Sequence, residues 1–462
     1  MATRRDRLQS YQFLLQRVVS ALVIHETDPQ VSPFKRFAGS AFAGLMIAVI
    51  AVGGVAVFGM LKSGGKTSWR NPQAIVLEKE TGVRYVYRND VLYPVANQVS
   101  AMLLGATQPV SVSRNSLSGT PRGETLGIPG APDVVPRTTD LLTSPWSLCV
   151  RPGANDQGAQ TVLLVGSAPS ADKPLGTGAM LARATDGEDG ALHLIWNDRR
   201  FQIRDADVVL RALTWEGYDP VPVRAAWLNG LPAGTPISRF SLPDETSSFR
   251  DVRVGRLFFV RNTAGNTQFY VAMPDGLAKV TSMQADIMRG DPALNPDGVQ
   301  PEEIQAGQLV ESEAAFTAEG DVQPPAATPK LVTPAAADAP LCAVFPAGGG
   351  APSVRSDATI PAGSAAGDTA GVADPGTALA DRVIVPAGRG ALVLSAGSPD
   401  ANTGTLLLVT EPGRAFPVTP DVAEKLGYGP GSAVKMLSSV VGRLPVGPAL
   451  DPGGAGLPAA RP

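Results

Sequence analysis

The stretch from Phe37 to Leu61 carries no charged side chain and is bounded by Lys35 and Arg36 on one side and Lys62 on the other. An α-helix rises about 1.5 Å per residue, so about 20 apolar residues cross the roughly 30 Å hydrocarbon core of a bilayer. The stretch is long enough to span with some tilt. It is too long for the apolar core of a cleavable leader, and the residues before it are rich in charge. The chain therefore reads as a short head, one membrane helix and a large distal part on the other side.

The flanking charges hardly choose a side. Arg17, Lys35 and Arg36 stand before the span, and Lys62, Lys66, Arg70 and Lys79 after it. Long domains also cross largely regardless of charge. The cysteines lean further. There are two, Cys149 and Cys342, both distal. An even, minimal pair suits one disulfide in an oxidising compartment; the alternative is two buried, unpaired thiols. On the disulfide reading the head is cytoplasmic and the rest extracytoplasmic.

Net charge is −3, so no basic field invites nucleic acid. Gly (50) and Pro (42) are abundant in the 462 residues, while apolar content of 44% still supports real cores. A distal part of this length exceeds one ordinary domain, so several modules are expected.

Four segments repeat one pattern: a Gly, an apolar strand, a polar turn, a short strand and a helix start. They begin at Gly82 (VRYVYR), Gly190 (ALHLIW), Gly255 (RLFFVR) and Gly404 (TLLLV). Asn, Asp and Gly supply tight hairpin turns, and Asn97, Asp205 and Thr419 stand where a helix needs a cap. Pro174-x-Gly176-x-Gly178-Ala179 and Pro386-x-Gly388-x-Gly390-Ala391 read as turns before a further strand. The spacing is uneven, which argues against a solenoid. The fold class expected is α+β: one transmembrane helix, then four small β-hairpin/helix modules around a central β-rich domain built from the segments near Val150 and Cys342. The expected divisions are a head over 1–36, the span over 37–61 and module 1 over 70–120. A first central part follows over 121–160, module 2 over 161–235 and module 3 over 236–322. A Pro/Ala linker with the second central part covers 323–375, module 4 covers 376–444, and a disordered tail covers 445–462.

Arg7 to Ile24 has the spacing of an amphipathic helix. Leu8, Tyr11, Leu15, Val18 and Leu22 form one stripe, widened by Leu14 and Val19. A head this short cannot bury the stripe within itself, so the stripe reads as a docking surface for a partner or the membrane face. Within the span, Gly39, Ala43, Gly44 and Ala48, then Gly53 and Gly54, place small residues where another helix can approach.

The search for chemistry ends without a catalytic, cofactor or metal site. Ser63-Gly64-Gly65-Lys66-Thr67 resembles the end of a phosphate loop, but that pattern needs Gly at position 60, which is Met60. The segment also leaves a membrane helix rather than a strand. His25 and His193 are far apart in sequence from each other and from the cysteines, and His193 reads as a partly exposed strand residue. No GxSxG occurs.

The head (RRDRLQSYQFLLQRVVSALVIHETDP), the span, SWRNPQAIVLEKETGVRYVY and PRGETLGIPGAPD together resemble EccB, the membrane component of actinobacterial type VII (ESX) secretion systems. The resemblance covers nearly the whole chain. It implies a plasma-membrane protein with a cytoplasmic N-terminus and a periplasmic region of four repeat domains around a central one. It also implies assembly with EccC, EccD and EccE-like subunits and with other copies of itself, in a structural role in protein export. A cell-wall contact with peptidoglycan is a further implication, because the family's repeats resemble a wall-binding module. Some family members are named ATPases, which is the competing reading; the departure at Met60 counts against it.

Topology is directly testable. Protease added to intact spheroplasts should degrade the region beyond Lys62 and spare the head. The reverse pattern would end this assignment.

Overall fold

One strand–helix unit is built four times, and its sequence shows why. The computed structural model describes residues 3–25, 33–62, 67–143, 145–153, 158–187, 190–314, 316, 322–361, 367–369, 372–373 and 376–459. In module 1 the strands Ala74–Glu78, Arg84–Arg88 and Val91–Pro94 run antiparallel, the helix Gln98–Leu103 follows, and Gln108–Val112 returns parallel to the first strand. The spatial order is third, second, first, fourth. A parallel return needs a crossover, which the helix supplies. Module 2 repeats this with Ala179–Ala184, Leu192–Trp196, Arg199–Ile203, helix Ala206–Ala212 and Val221–Val223. Module 3 uses Leu257–Arg261, Thr267–Met273, Gly276–Val280, helix Ser282–Gly290 and Glu302–Glu303. Module 4 uses Ala391–Ala396, Thr405–Val409, Ala415–Pro417, helix Pro420–Lys425 and Val434–Leu437.

The turn chemistry is local. Asn89-Asp90 (φ 47° and 61°) and Asn197-Asp198 (φ 49° and 60°) sit in the left-handed region that a two-residue type I′ hairpin requires. Asn97 accepts from the Ser100 amide at 2.9 Å and Thr419 from the Val422 amide at 3.3 Å, closing the helix starts. Asp205 does not cap in this way: it is itself left-handed (φ 49°), and its carboxylate accepts the Arg239 amide at 3.3 Å.

In module 3 the sequence pattern is displaced by one strand. Gly255 opens the first strand rather than the second, and AMPDGLAKV is a hairpin arm, with Met273 paired to Gly276, rather than a helix. Its residues alternate between the two faces of the sheet. The helix waits for Thr281, whose hydroxyl accepts from the Gln284 amide while Gln284 reaches back to the Thr281 amide.

A fifth segment completes each module and was not read from the sequence. Pro121-x-Gly123-x-x-Leu126, Pro232-x-Gly234-x-x-Ile237 and Pro445-x-Gly447-x-x-Leu450 run parallel beside the third strand of modules 1, 2 and 4. Leu92, Arg200 and Ala415 donate to Pro121, Pro232 and Pro445 at 2.9, 3.0 and 3.0 Å. A Cβ on these glycines would lie 2.3 Å from the Tyr93 ring, 2.1 Å from Phe201 and 2.3 Å from Phe416, so the third-strand aromatic occupies the space of the missing side chain. Module 3 makes the equivalent contact from Leu277 to Val310 at 2.7 Å without that motif. The region after Pro445, expected to be disordered, is therefore ordered through residue 459 among the described residues. Its signal was a spacing shared with two other modules, not a periodicity.

The Pro/Ala linker is also packed. Ala179 donates to Lys330 at 3.0 Å, Val332 donates to Ala179 at 2.8 Å, and Leu331 is buried. The linker occupies the open edge at the start of module 2's first strand. The segment ahead of the central domain does the same at module 4, where Leu142 donates to Gly390 at 2.7 Å.

The central domain is a seven-stranded sheet in the order Gly367–Asp368, Arg382–Ile384, Gln160–Leu164, Trp146–Arg151, Leu341–Phe345, Ser353–Ser356, Lys173–Pro174. It takes Gln160–Leu164, Lys173–Pro174 and Arg382–Ile384 wholly or partly from stretches expected to belong to modules 2 and 4, because those strands pair with central strands. Cys149 stands directly opposite Cys342, and the two are joined, with Cα atoms 4.0 Å apart.

Modules 2 and 4 bury one sheet face against the centre: Met180, Ile195, Val393 and Leu407 share a core with Trp146 and Phe345. Trp227 donates its indole N–H to the Leu148 carbonyl at 3.1 Å. Module 1 packs on module 4 through Val99, Leu104, Phe416 and Val422. Module 3 packs on module 2 through Met283, Ile287, Val209 and Leu213. The contact order is thus 3–2–centre–4–1.

The disulfide closes a loop across 193 positions. Chain-entropy arguments give about 5 kcal/mol for such a loop, as an upper figure. Cys149→Ser should lower the melting temperature of the distal part by several degrees or more, and Cys342→Ser should do the same. Peptide mapping without reductant should recover Cys149 joined to Cys342; two free thiols would remove the effect.

Candidate functional site

Among the described residues the largest unburied apolar surfaces are the two N-terminal helices. The head helix Arg4–Ile24 begins where the Thr3 amide and hydroxyl both donate to Asp6, at 2.9 and 2.6 Å, which holds the Asp6 carboxyl below the usual range. Leu8, Tyr11, Leu15, Val18 and Leu22 are 61, 66, 46, 51 and 74% exposed. At 100° per residue they occupy a sector about 80° wide. Phe13, on the other side, lies under the Arg17 guanidinium at 5.9 Å. The helix Pro33–Lys62 follows. Its window Ala38–Val57 has mean hydropathy 2.3, and none of it is buried within the protein. A Cβ added at Gly39, Gly44, Gly53 or Gly54 would meet nothing within 4 Å, so those faces are open to lipid or to another helix.

The distal part contains two buried carboxylates, and both act as ties. Glu78, at the end of module 1's first strand, is 1% exposed. It accepts from Arg114 Nε at 2.8 Å and from the Tyr85 hydroxyl at 3.0 Å, with the Arg122 guanidinium at 3.6 Å. Arg122 also donates to the Tyr85 oxygen. The hydrogen bond from Arg114 holds the Glu78 carboxyl below its ordinary range against the opposing effect of burial. Burial, then Glu78 itself, raises Tyr85. Glu78 is thereby an ionised anchor that pulls segment 113–122 over the sheet, and not a group poised to exchange a proton near neutrality. Its contribution to stability is complete above the unfolded carboxylate range, about 4.3, and is lost as pH falls through the lower folded value. Asp291, fully buried, accepts two bonds from Arg239 at 3.1 and 2.8 Å and one from the Ala293 amide at 2.9 Å. It ties the connection between modules 2 and 3 to the end of module 3's helix.

The remaining residues singled out from the sequence are scattered. His25 closes the head helix in the left-handed region (φ 61°). His193 is buried rather than partly exposed, because its side of the strand turns toward the central domain. Cys149 and Cys342 are fully buried and bonded. Residues 63–66, with Lys66, lie outside the described residues. Among the described residues no group of three His, Cys, Asp or Glu could hold a metal ion. A cleft of about 480 Å³ between modules 2 and 3 is bordered by Ile237, Phe240, Met283, Ile287 and Arg204; no described Asp, Glu, His, Cys or Lys lines it.

The comparisons with known proteins agree with this architecture. The family described as "Type VII secretion system ESX-1, transport TM domain B" matches residues 1–459. "ESX-3 secretion system ATPase EccB3" of Mycobacterium tuberculosis is 26% identical over 448 residues, 89% of this chain and 80% of that protein. Its namesake in Mycolicibacterium smegmatis is 25% identical over 315 residues, and the matched stretch spans 60% of that relative's length. "ESX-1 secretion system ATPase EccB1" of M. tuberculosis is 28% identical over 319 residues, 63% of this chain and 62% of that protein. Two solved structures share the fold. A chain of an intact ESX-5 inner membrane complex superposes with TM-score 0.62 at 21% identity, covering 100% of this chain and 96% of its own length. The EccB3 dimer from the ESX-3 core complex superposes with TM-score 0.61 at 24% identity, covering 83% and 100%.

We propose that the Leu8–Leu22 sector is a docking face. Replacing Leu15 and Val18 with Asp would place charge in an apolar contact, at a cost of several kcal/mol. The doubly substituted chain should still insert in the membrane but fail to co-purify with other membrane subunits. Unchanged co-purification would leave the sector without that role.

Proposed function

We propose a role on one premise: the chain belongs to the EccB family of type VII secretion membrane components. On that premise it is a structural subunit of a secretion complex in the inner membrane. Its head is cytoplasmic, and its modules form part of the periplasmic assembly through which proteins are exported. The observation that carries this is the join between a single exposed apolar span and a cross-linked distal array. A span with no covering inside the protein anchors the array at one face of the membrane. A disulfide at the array's centre suits the oxidising side.

The partners follow from the family: EccC, EccD and EccE-like subunits, and other copies of this chain. The head sector would meet the cytoplasmic partners. The open glycine faces of the span would meet neighbouring helices. The relation to a dimeric relative supports self-association.

Within this role we read the chain as non-catalytic, although its relatives carry "ATPase" in their names. Met60 breaks the glycine spacing of a phosphate loop, and on the proposed topology Lys66 lies outside the cytosol. Highly purified full-length protein should show no ATP turnover that depends on Lys66. If it hydrolyses ATP and Lys66→Ala abolishes the activity, the enzymatic reading replaces this one. Removal of the chain from cells should dissociate the membrane complex and stop export.

A further inference from the structure

The segment after module 4 does more than complete that module. Beyond Leu450 it leaves module 4, forms one helical turn, Pro452–Ala455, and packs this turn on module 1's helix Gln98–Leu103. It then pairs with module 1's own fifth segment. Gly127 donates to Leu457 at 3.1 Å, Ala459 donates to Thr125 at 2.8 Å, and Leu126 bridges Pro458 antiparallel. The first and last parts of the distal region are thus held together by a strap.

The two module pairs are joined differently. In the 2–3 pair the helices touch directly: a Cβ on Gly290 would lie 2.5 Å from the Ala212 Cβ. In the 1–4 pair the strap helix lies against module 1's helix as a further element, with Gly454 beside Ile128 and Gly456 beside Leu104. That strap is weakly built. Its helical turn contains Gly453 and Gly454, which are among the poorest helix formers. Beyond Leu450 it buries one apolar side chain, Ala455, while Leu457 is 63% exposed. Asp451 caps the turn from the Gly454 amide at 2.7 Å, and no ion pair is formed between strap and module 1 among the described residues. Segments with little apolar burial open before the cores they cross.

Module 1 follows the membrane helix, so the strap sits between the membrane-attached module and everything beyond it. We propose that residues 451–459 act as a releasable clasp that sets the orientation of module 1 on module 4, and that its opening lets the membrane-attached module tilt about the 131–142 connection. This does not depend on the secretion role.

The test uses the full chain in nanodiscs, with spin labels at Val83→Cys and Lys425→Cys, and hydrogen exchange read residue by residue. In the unaltered chain the Ala459 and Gly454 amides should exchange about tenfold faster than Val86 and Leu408. Ala455→Asp should broaden the distance distribution between modules 1 and 4 and speed exchange at Gly127, leaving Ile195 and Phe258 unchanged. A Thr125→Cys, Ala459→Cys cross-link should restore the narrow distribution in the Ala455→Asp background. Clasp amides as protected as Val86 would show that the segment does not release. An unchanged distance distribution in Ala455→Asp would show that it does not orient module 1. Loss of protection at Val86 that the cross-link cannot restore would mean that the segment is part of the module 1 core.

Discussion

The pairing of Trp146–Arg151 with Leu341–Phe345 is the contact on which the rest depends. These strands are separated by two complete modules in sequence, yet they lie side by side at the middle of the central sheet. Bringing them together is the longest loop closure in the fold, and the Cys149–Cys342 bond stands at that pairing. Both strands are entered in the same way. One follows the segment that edges module 4 at Gly390, and the other follows the segment that edges module 2 at Ala179. Joining the two cysteines therefore fixes both segments, and through them both module pairs.

The modules share a topology but not a solution for their second sheet face. Modules 2 and 4 press theirs on the central domain. Modules 1 and 3 lie at the ends of the array and cover theirs with local chain. In module 1 this is Trp69 and Leu117 over Val76 and Tyr85; in module 3 it is Phe249 and Ile304 over Phe258 and Leu277. Glu78 explains how module 1's cover is held, since Arg114 and Arg122 both come from the covering stretch and both reach that carboxylate. A buried carboxylate that loses its cations is left with its full desolvation cost, so this tie is stronger against removal of a partner than its net stabilisation suggests.

Much of the fold was legible where the determining chemistry is local. The span is written in hydropathy, the hairpins in Asn-Asp pairs, and the repeats in apolar strands with Gly ahead of them. Module 3 misled because its first and second strands carry the pattern that marks the second and third elsewhere, and only the position of the Thr281 cap separates the two registers. The fifth segments were invisible as strands because each makes only isolated bridges. Their trace in the sequence is the recurrence of Pro-x-Gly-x-x-Leu/Ile, whose glycine has meaning only once the facing aromatic is known. The tie at Glu78 had no signal, since residues from three elements meet only after folding. The head stripe was legible as a pattern, but what covers it lies on other chains.

The contact order 3–2–centre–4–1 has a mechanical consequence. The membrane helix enters at module 1, which is at one end, while the covalent cross-link lies at the centre. Any displacement of the helix must pass through the 1–4 contact before it reaches the cross-linked sheet. That contact includes a large apolar core, which resists separation but allows sliding, because apolar contact is non-directional. Directional restraint comes from hydrogen bonds such as Tyr428 to the Pro136 carbonyl at 2.7 Å and Thr138 to the Gly427 carbonyl at 3.2 Å. Both lie on the connection between module 1 and the centre. Module 1 is thus held in place by its core and in direction by a few polar contacts, whereas modules 2 and 4 are fixed on both counts by the sheet they share.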